Sequence, residues 1–496
     1  MFCVPVMIWT MVFIMAAKFV LLIIARIVDM KCKSFIEHYL IVYLVVVNHL
    51  INLLPVIITF WEQISRGTLN NIKKKNIMKL FSKIAVIIIF LIPFSCKEAE
   101  KSSIPVIDIA GNIDNFKQFD LSDLACNMEY VVLESIPEAM LRGISFLDIS
   151  EDYILVSDMD KCLLFDRSGN FIAKIGSQGR GPGENDAFIQ VKIFDDKIFL
   201  PDVRTSKINI FNTKGEFLKT FKSPGAFAGA TYHNWIVLTD TTYLVQIPDH
   251  AENGQYRIAL INDKGEILKG FTITAYFNDH EASRGLGIIA RFYKRNDKVF
   301  YKELFNDTIW QVDENRIEPI YVTNLGKNEF SYDYKNLSGV SFIQKFIETV
   351  RASIIFESNS YISFIINLGR KYNLDIYKAV RGPGGERMGI HQIIGLYDKQ
   401  NDEFFLVAPS NVDHQIEPTG IKNDIDGGIN FMPRYAVNDT LIVSWFEAYE
   451  LKMYVASETF KNSTPKYPEK KNQLKQLEAS LDENDNPVLM LVKLKE

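Results

Sequence analysis

The sequence predicts an all-β fold in which small antiparallel sheets form a closed ring. Three observations predict it. From about residue 128 onward, short runs of Val, Ile, Phe, Tyr and Leu alternate with Asp, Asn and Gly, a texture typical of strands joined by tight turns. One strand–turn–strand phrase recurs at spacings of 46 and 50 residues. Both ends of this β-rich region carry a strand without a local partner.

The recurring phrase is a hairpin whose polar turn ends in glycine. Its glycines, Gly169, Gly215 and Gly265, occupy matching places. Glycine suits a hairpin position that requires φ > 0, and self-similarity at this period is typical of propeller blades. The three copies are LLFDRSGNFIAKIG (163–176), INIFNTKGEFLKTFK (208–222) and IALINDKGEILKGF (258–271).

An apolar strand that ends in aspartate precedes each copy, at Asp158, Asp202 and Asp240. Aspartate at the end of a strand commonly accepts hydrogen bonds from the backbone of the turn that follows. We therefore expect these three side chains to cap turns rather than to bind a ligand.

Six hairpin groups follow one another along the chain, which predicts a six-bladed β-propeller. Helical patterns at 340–352 and 468–484 predict inserts packed on the ring. We expect the strands at 128–134 and 488–495 to pair in the sixth blade, with the N-terminal strand outermost, because an open ring would leave unpaired strand edges. The six groups lie near 140–176, 188–222, 228–273, 285–325, 352–410 and 428–495.

Residues 1–77 form a hydrophobic extension with two alternative interpretations. Its apolar stretches, 4–28 and 39–61, are each long enough to span a membrane as a helix. Two transmembrane helices conflict with the positive-inside rule, because basic clusters lie on both sides of the second stretch. The alternative is a mis-assigned start, with translation beginning at Met78.

From Met78 the chain has the anatomy of a bacterial lipoprotein signal. Lys79 and Lys83 form a basic region, an apolar run follows, and Cys96 is the expected lipidation site. The predicted organisation is the hydrophobic extension at 1–77, a signal peptide at 78–96, a linker at 97–126 and the propeller at 127–496.

A glycine-rich segment, IGSQGRGPGEN at 175–185, follows the first hairpin copy. A phosphate-binding loop would carry GK[ST] and continue into a helix, whereas the residues after this segment are again β-like. We interpret the segment as a tight link from the outer strand of one blade to the inner strand of the next. Its structural motif consists of Gly179, Arg180, Gly181, Pro182, Gly183 and Glu184, in which Arg180 and Glu184 can pair.

This segment, together with FDRSGNF before it, resembles the six-bladed β-propeller lipoproteins of Bacteroidetes, a group similar in pattern to NHL repeats. The closing ENDNPVLMLVKLKE (483–496) also resembles the C-terminus of that group. The resemblance covers about 120–496. It implies a propeller that is exported to the cell envelope, periplasmic or surface-facing, and anchored through lipid. It implies no established activity.

Charge excludes one class of partner. Residues 1–96 contain 10 Lys and Arg against 3 Asp and Glu, and the rest of the chain contains 45 against 57, a net charge of −12. An acidic body without a basic stripe argues against a nucleic-acid partner.

Three functions remain open at this point. The first is a binding module for a peptide, glycan or protein ligand, held at the membrane by the lipid anchor or by N-terminal helices. The second is a propeller enzyme of lyase or lactonase type that uses a channel histidine or a Ca²⁺ or Zn²⁺ ion. The third is a multi-pass membrane sensor. No catalytic motif and no cofactor are predicted, and the histidines of the body are His233, His250, His280, His391 and His414.

Overall fold

The computed structural model describes residues 104–202, 205, 207–222, 234–247, 256–273, 290–304, 306–328, 339–369, 392–409 and 419–495. The described chain begins with short elements that belong to three different sheets. They are β1 (Val106–Asp108), a 3₁₀ turn (Ala110–Asn112), β2 (Phe116–Lys117), α1 (Leu121–Leu124) and β3 (Ala125–Val132).

Six small sheets follow in a ring, which confirms the six-bladed β-propeller. Between blades 1 and 2 lies a two-stranded parallel sheet, and the strands are numbered outward within blades 1 to 5. Blade 1 consists of β4 (Phe146–Ile149), β5 (Tyr153–Ser157), β6 (Cys162–Asp166) and β7 (Phe171–Lys174), and the small sheet after it consists of β8 (Ser177–Gln178) and β9 (Glu184–Asn185). Blade 2 consists of β10 (Lys192–Phe194), β11 (Lys197–Asp202), β12 (Lys207–Asn212) and β13 (Phe217–Lys222), and blade 3 of β14 (Trp235–Thr239), β15 (Thr242–Gln246), β16 (Ile258–Asn262) and β17 (Ile267–Phe271). Blade 4 consists of β18 (Ala290–Arg295), β19 (Lys298–Glu303), β20 (Thr308–Val312) and β21 (Ile317–Asn324), blade 5 of β22 (Arg351–Glu357), β23 (Tyr361–Asn367), β24 (Gln392–Asp398) and β25 (Glu403–Val407), and blade 6 of β26 (Tyr435–Ala436), β27 (Leu441–Phe446), β28 (Val488–Leu494) and β3.

Blade 6 closes the ring with both ends of the folded chain. Strand β3 pairs antiparallel with β28, from Val132 opposite Val488 to Ala125 opposite Leu494. The order β26-β27-β28-β3 places the N-terminal strand outermost. The predicted closure is therefore confirmed, with the N-terminal partner running from residue 125 to 132 instead of 128 to 134.

The linker expected over 97–126 needs a correction from residue 104 onward. Strand β1 pairs parallel with β21 and β2 pairs parallel with β25, so that blades 4 and 5 each gain a fifth, outermost strand. Ile107 and Ile109 are fully buried in this segment. Strands of two or three residues are too short to produce a recognisable alternation, which is why sequence reasoning assigned them to a linker.

Helices occur as inserts, as the sequence predicted. Helix α2 (Gly339–Glu348) precedes blade 5. A second insert separates β27 from β28, and Leu451, Phe460 and Leu474 anchor it in the same core as the strands of blades 5 and 6. Two of its three helices were not predicted. They are α3 (Ala448–Ala456), α4 (Glu458–Asn462) and α5 (Pro468–Ser480).

The repeated turns are built as expected for glycine. Gly169, Gly215 and Gly265 have φ values of 91°, 81° and 81°, which side chains with a Cβ rarely adopt. Asp158 caps its turn, because its carboxylate accepts hydrogen bonds from the backbone N–H groups of Asp160 and Lys161.

Asp240 differs from that expectation, whereas the turn after Asp202 lies only partly within the described residues. Asp202 accepts a hydrogen bond from the hydroxyl of Thr205 at 2.7 Å. Asp240 forms an ion pair with Lys197 at 2.9 Å. The turn after Asp240 is closed by threonine hydroxyls at positions 239 and 242, so the aspartate carboxylate is available to the neighbouring blade.

The expectations for the N-terminal region lie outside the described residues. These are the apolar stretches 4–28 and 39–61, the signal peptide at 78–96 and Cys96. Within the described ranges, no helix combines the length and the apolar character that a membrane crossing needs.

Candidate functional site: the central channel

A cavity of about 370 Å³ runs through the middle of the ring and is lined by the first strand of every blade. This volume falls in the range of about 300–1,000 Å³ that is usual for small-ligand pockets. Most of the lining residues lie on strands rather than on long loops, so their positions are set by the blades. The charged members of the lining are Asp148, Lys192, Arg291, Lys294, Glu357 and Arg434.

Asp148, on the inner strand of blade 1, joins three blades. One carboxylate oxygen accepts the hydroxyl of Tyr435 from blade 6 at 2.7 Å, and also the backbone N–H of Ile149 at 3.1 Å. The other oxygen accepts the N–H of Ile193 from blade 2 at 2.9 Å. Both oxygens therefore have donors, and the side chain is only 8% exposed.

Lysine and arginine side chains enter the channel from blades 2 and 4. Lys192 Nζ donates to the hydroxyl of Tyr435 at 3.2 Å. Arg291 Nη1 donates to the carbonyl of Ile355 at 3.0 Å, which joins blade 4 to blade 5. Lys294 Nζ lies 5.5 Å from the centre of the Phe194 ring, across from its own blade.

Glu357, the second carboxylate of the lining, is neutralised by a cluster between blades 4 and 5. Its oxygens contact Arg295 at 2.5 Å, Lys399 at 2.6 Å and the hydroxyl of Tyr293 at 2.7 Å. The Glu357 side chain is fully buried. A buried carboxylate with two cationic partners is compensated within its own cluster, so it contributes little negative charge to the channel.

Aromatic rings supply the apolar part of the lining. Phe194, Phe292, Tyr435 and Trp445 are each half-buried there. Arg434 lies over the Trp445 ring, with 5.4 Å from the guanidinium carbon to the ring centre. Faces of this kind attract cations and also stack against flat or apolar ligand surfaces.

Burial changes the proton affinities of the channel groups. Burial lowers the pKa of Lys294. The charges of Asp148 and Asp297 raise this pKa, and the charge of Lys192 lowers it further. Burial likewise lowers the pKa of Arg291. For Tyr435, burial followed by the charge of Asp148 raises the pKa well above its usual range, so the phenol stays neutral and remains a donor to Asp148.

The glycine-rich motif predicted from the sequence lies elsewhere, between β7 of blade 1 and β10 of blade 2, and none of its residues 179–184 lines the channel. Gly183 has a φ of 74°, and a Cβ there would lie 2.8 Å from the Phe217 ring. Gly181 N–H donates to the Glu184 carboxylate at 2.6 Å. In the described chain, no ion pair joins Arg180, which is exposed, to that carboxylate. Pro182 is exposed at the tip.

The residue that anchors this loop is Asn185, which sequence reasoning did not single out. Its fully buried amide donates to the carbonyls of Leu200 and Pro201 in blade 2, both at 3.1 Å. Its oxygen accepts from Asn209 at 3.0 Å, and Asn209 also donates to the Glu184 carbonyl at 3.1 Å. The loop is thus hydrogen-bonded to the blade that it precedes, as a structural link would be.

The remaining candidate residues are not placed. Cys96 and the five histidines, His233, His250, His280, His391 and His414, lie outside the described residues. Within the described ranges, no group of three or more His, Cys, Asp and Glu side chains could hold a metal ion.

Sequence reasoning missed the channel residues altogether. Asp148 and Lys192 are single charged residues inside short apolar segments, FLDI and VKIF, whereas Lys294 lies in RFYKR between two arginines. A charge in the first strand of a blade is a signal that could have been used, because that strand borders the channel. Tyr435 gives no comparable signal.

The fold and this channel define the protein as a six-bladed β-propeller with a charged, aromatic-lined axial cavity. Residues 104–493 match the family model described as "Domain of unknown function (DUF4934)", and the chain belongs to that family.

The chain is similar to solved structures of two Bacteroides proteins, of which the first supports the fold. A Bacteroides fragilis protein described as a "Putative exported protein" is 16% identical, with a TM-score of 0.57, and the match covers 79% of this chain and 100% of that one. A member of the duf4221 family from Bacteroides vulgatus is 11% identical, with a TM-score of 0.41, 75% of this chain and 97% of that one. A search of the curated proteins found no match.

Proposed function

We propose that this protein is a binding module of the cell envelope, whose peptide, glycan or protein ligand inserts a group into the central channel. One observation carries the proposal: a single cavity of about 370 Å³ collects charged and aromatic side chains from all six blades. Pockets that combine apolar rings with a few fixed polar groups are the usual form of a ligand site. The rings of Phe194 and Phe292 supply contact area, and the charged groups supply specificity.

The test combines a binding screen with a pair of matched variants. The full chain, purified in mild detergent, is screened on glycan and peptide arrays, and the affinity of each ligand is measured for Phe194→Ala and Phe217→Ala. Phe194 lines the channel, whereas Phe217 is 42% exposed and lies outside it. A channel ligand should lose about tenfold or more in affinity with Phe194→Ala and keep its affinity with Phe217→Ala. Equal affinities for the two variants, or no ligand on either array, would contradict the proposal.

The proposal includes an envelope address with lipid as the membrane partner. The basic region, the apolar run and Cys96 after Met78 support it. Replacing Cys96 by Ala should move the protein from the membrane fraction to the soluble exported fraction. Mass spectrometry of the mature N-terminus should find a lipid-modified Cys96, whereas native peptides from residues 1–77 would overturn the start at Met78.

A further inference from the structure

The channel contains more positive than negative charge. Four cations, Lys192, Arg291, Lys294 and Arg434, line it together with two carboxylates. Glu357 is already paired with Arg295 and Lys399. The lining is therefore cationic even though the body of the chain has a net charge of −12, which makes the channel an exception to the charge of the molecule.

Asp148 favours the charge of Lys294 from a distance, but its direct contacts are with other groups. Its two oxygens accept hydrogen bonds from Tyr435, Ile149 and Ile193. In the part of the chain that the structure describes, it forms no ion pair with Lys192 or Lys294. The carboxylate is therefore used to hold blades 1, 2 and 6 together.

Lys294 has no direct ionic partner within the described part of the chain. Within the described residues, its ammonium makes no hydrogen bond, and its defined contact is the face of the Phe194 ring. A half-buried ammonium has lost part of its hydration, and a ring face replaces only a small part of it. Burial lowers the pKa of Lys294, the charges of Asp148 and Asp297 raise it, and the charge of Lys192 lowers it further. The hydrogen bond of Lys192 is to the neutral Tyr435 hydroxyl.

We propose that the channel binds an oxyanion, a carboxylate or phosphate group of a ligand, at the segment lined by Lys192, Arg291 and Lys294. The inference rests on the proposed binding function and names the chemistry of its ligand. Lys192 and Lys294 provide ammonium donors. Arg291 uses one guanidinium N–H on Ile355, and its planar fork offers further N–H donors of the kind that carboxylates and phosphates accept.

An anion is the ligand charge that the site stabilises. It would reduce the repulsion between Lys192 and Lys294 and replace the hydration that burial has removed from both. A cationic ligand group would meet three like charges and two carboxylates that already have donors. The rest of an anionic ligand would contact the rings of Phe194 and Phe292, which adjoin the cations in the lining.

The probes are succinate and inorganic phosphate, with neutral succinamide as the matched analogue of succinate. Thermal unfolding of the full chain is followed during titration of each probe, at an ionic strength kept constant with sodium chloride. We expect a saturable rise in Tm with succinate, phosphate or both, and none with succinamide. A response to succinate alone assigns a carboxylate ligand, and a response to phosphate alone assigns a phosphate ligand. No saturable rise with either anion, or an equal rise with succinamide, would overturn the inference.

Paired lysine variants locate the effect. Lys192→Met with Lys294→Met removes two channel charges and keeps the aliphatic stems, whereas Lys214→Met with Lys264→Met removes two exposed charges from hairpin turns. The channel pair should weaken the apparent affinity by about tenfold or more, and the hairpin pair should leave it unchanged. If the channel pair does not fold, Lys294→Met alone takes its place, because Lys294 contributes no hydrogen bond within the described chain. An unchanged affinity in the channel variant would place the anion elsewhere and end the proposal.

The two proposals fail in different ways. An array ligand that depends on Phe194 but is neutral and insensitive to the lysine pair would keep the binding function and reject the anion site. Succinate or phosphate binding that depends on the lysine pair, without any Phe194-dependent array ligand, would keep the anion site and reject the peptide, glycan or protein ligand.

Discussion

Blades 1 to 3 and blades 4 to 6 are assembled in different ways. Each of the first three blades is a continuous run of four strands, as in β4 to β7. Each of the last three instead recruits a strand from the segment 106–132: β1 joins blade 4, β2 joins blade 5, and β3 completes blade 6. The N-terminal segment therefore forms a strap along the outer edges of half of the ring.

This difference shows how one chain combines local and distant pairing. The hairpins of blades 1 to 3 connect neighbouring residues and need little loop closure. The strap pairs Val106 with Val322, Phe116 with Leu406 and Ala125 with Leu494. The channel depends on both halves, because Lys192 belongs to blade 2 while Tyr435, which receives its hydrogen bond, belongs to blade 6.

Removing β28 should have the largest effect. Deletion of residues 486–496 takes away the partner of both β3 and β27 and leaves two strand edges open. We expect an aggregating or protease-sensitive product without a cooperative thermal transition. Deleting only Lys495 and Glu496 should preserve the transition, because β28 ends at Leu494. A cooperative thermal transition of full amplitude after the longer deletion would show that pairing of β28 with β3 is not required for a stable ring.

The strap itself should be stabilising. Ile107 is fully buried between blades 4 and 5, so Ile107→Ala should lower the free energy of unfolding by about 2–5 kcal/mol. Ile172, on the outer strand of blade 1, is 42% exposed, and Ile172→Ala should change it by about 0.5 kcal/mol or less. Denaturant unfolding measures both. Equal losses of unfolding free energy in the two variants would mean that β1 does not stabilise the ring.

Two of the repeated glycine turns, at Gly169 and Gly215, test the comparison further, because each contacts a different part of the ring. A Cβ on Gly169 would lie 2.0 Å from the carbonyl oxygen of Val132 in the closing strand, and one on Gly215 would lie 2.8 Å from that of Lys174 in blade 1. Both substitutions by Ala carry the strain of a positive φ, about 1–3 kcal/mol. Gly169→Ala should cost more than Gly215→Ala by about 1 kcal/mol or more, because it also presses on β3. Chemical denaturation that ranks them in the opposite order would contradict this role of Val132.

The sequence was sufficient for the parts of the fold with a repeating pattern. The spacing of Gly169, Gly215 and Gly265 identified the blades, and the lone strands at the two ends identified the closure. Strands β1 and β2 were missed because two or three residues cannot display an alternation. The helices α3 and α4 were missed because their cohesion comes from packing of Leu451 and Phe460 against blades 5 and 6, which is tertiary information.

The candidate site could be predicted from the sequence far less well. Its residues come from every blade, and no spacing along the chain shows that Asp148 and Tyr435, on opposite sides of the closure, are hydrogen-bonded. The prominent motif, GRGPGE, instead forms a link that Asn185 fixes to blade 2. A conspicuous local pattern indicated a turn, whereas the channel is created by ring geometry.

The most direct test of the account is to locate an oxyanion in crystals of the protein. Selenate is a tetrahedral oxyanion with the shape and double negative charge of hydrogen phosphate, and its selenium can be located by anomalous scattering. After soaking, the account predicts an anomalous peak inside the channel, within hydrogen-bond reach of Lys192, Arg291 and Lys294, and its loss in the Lys192→Met, Lys294→Met variant. An empty channel at a selenate concentration that fills sites on the outer surface would contradict the claim that the closed ring assembles an anion site.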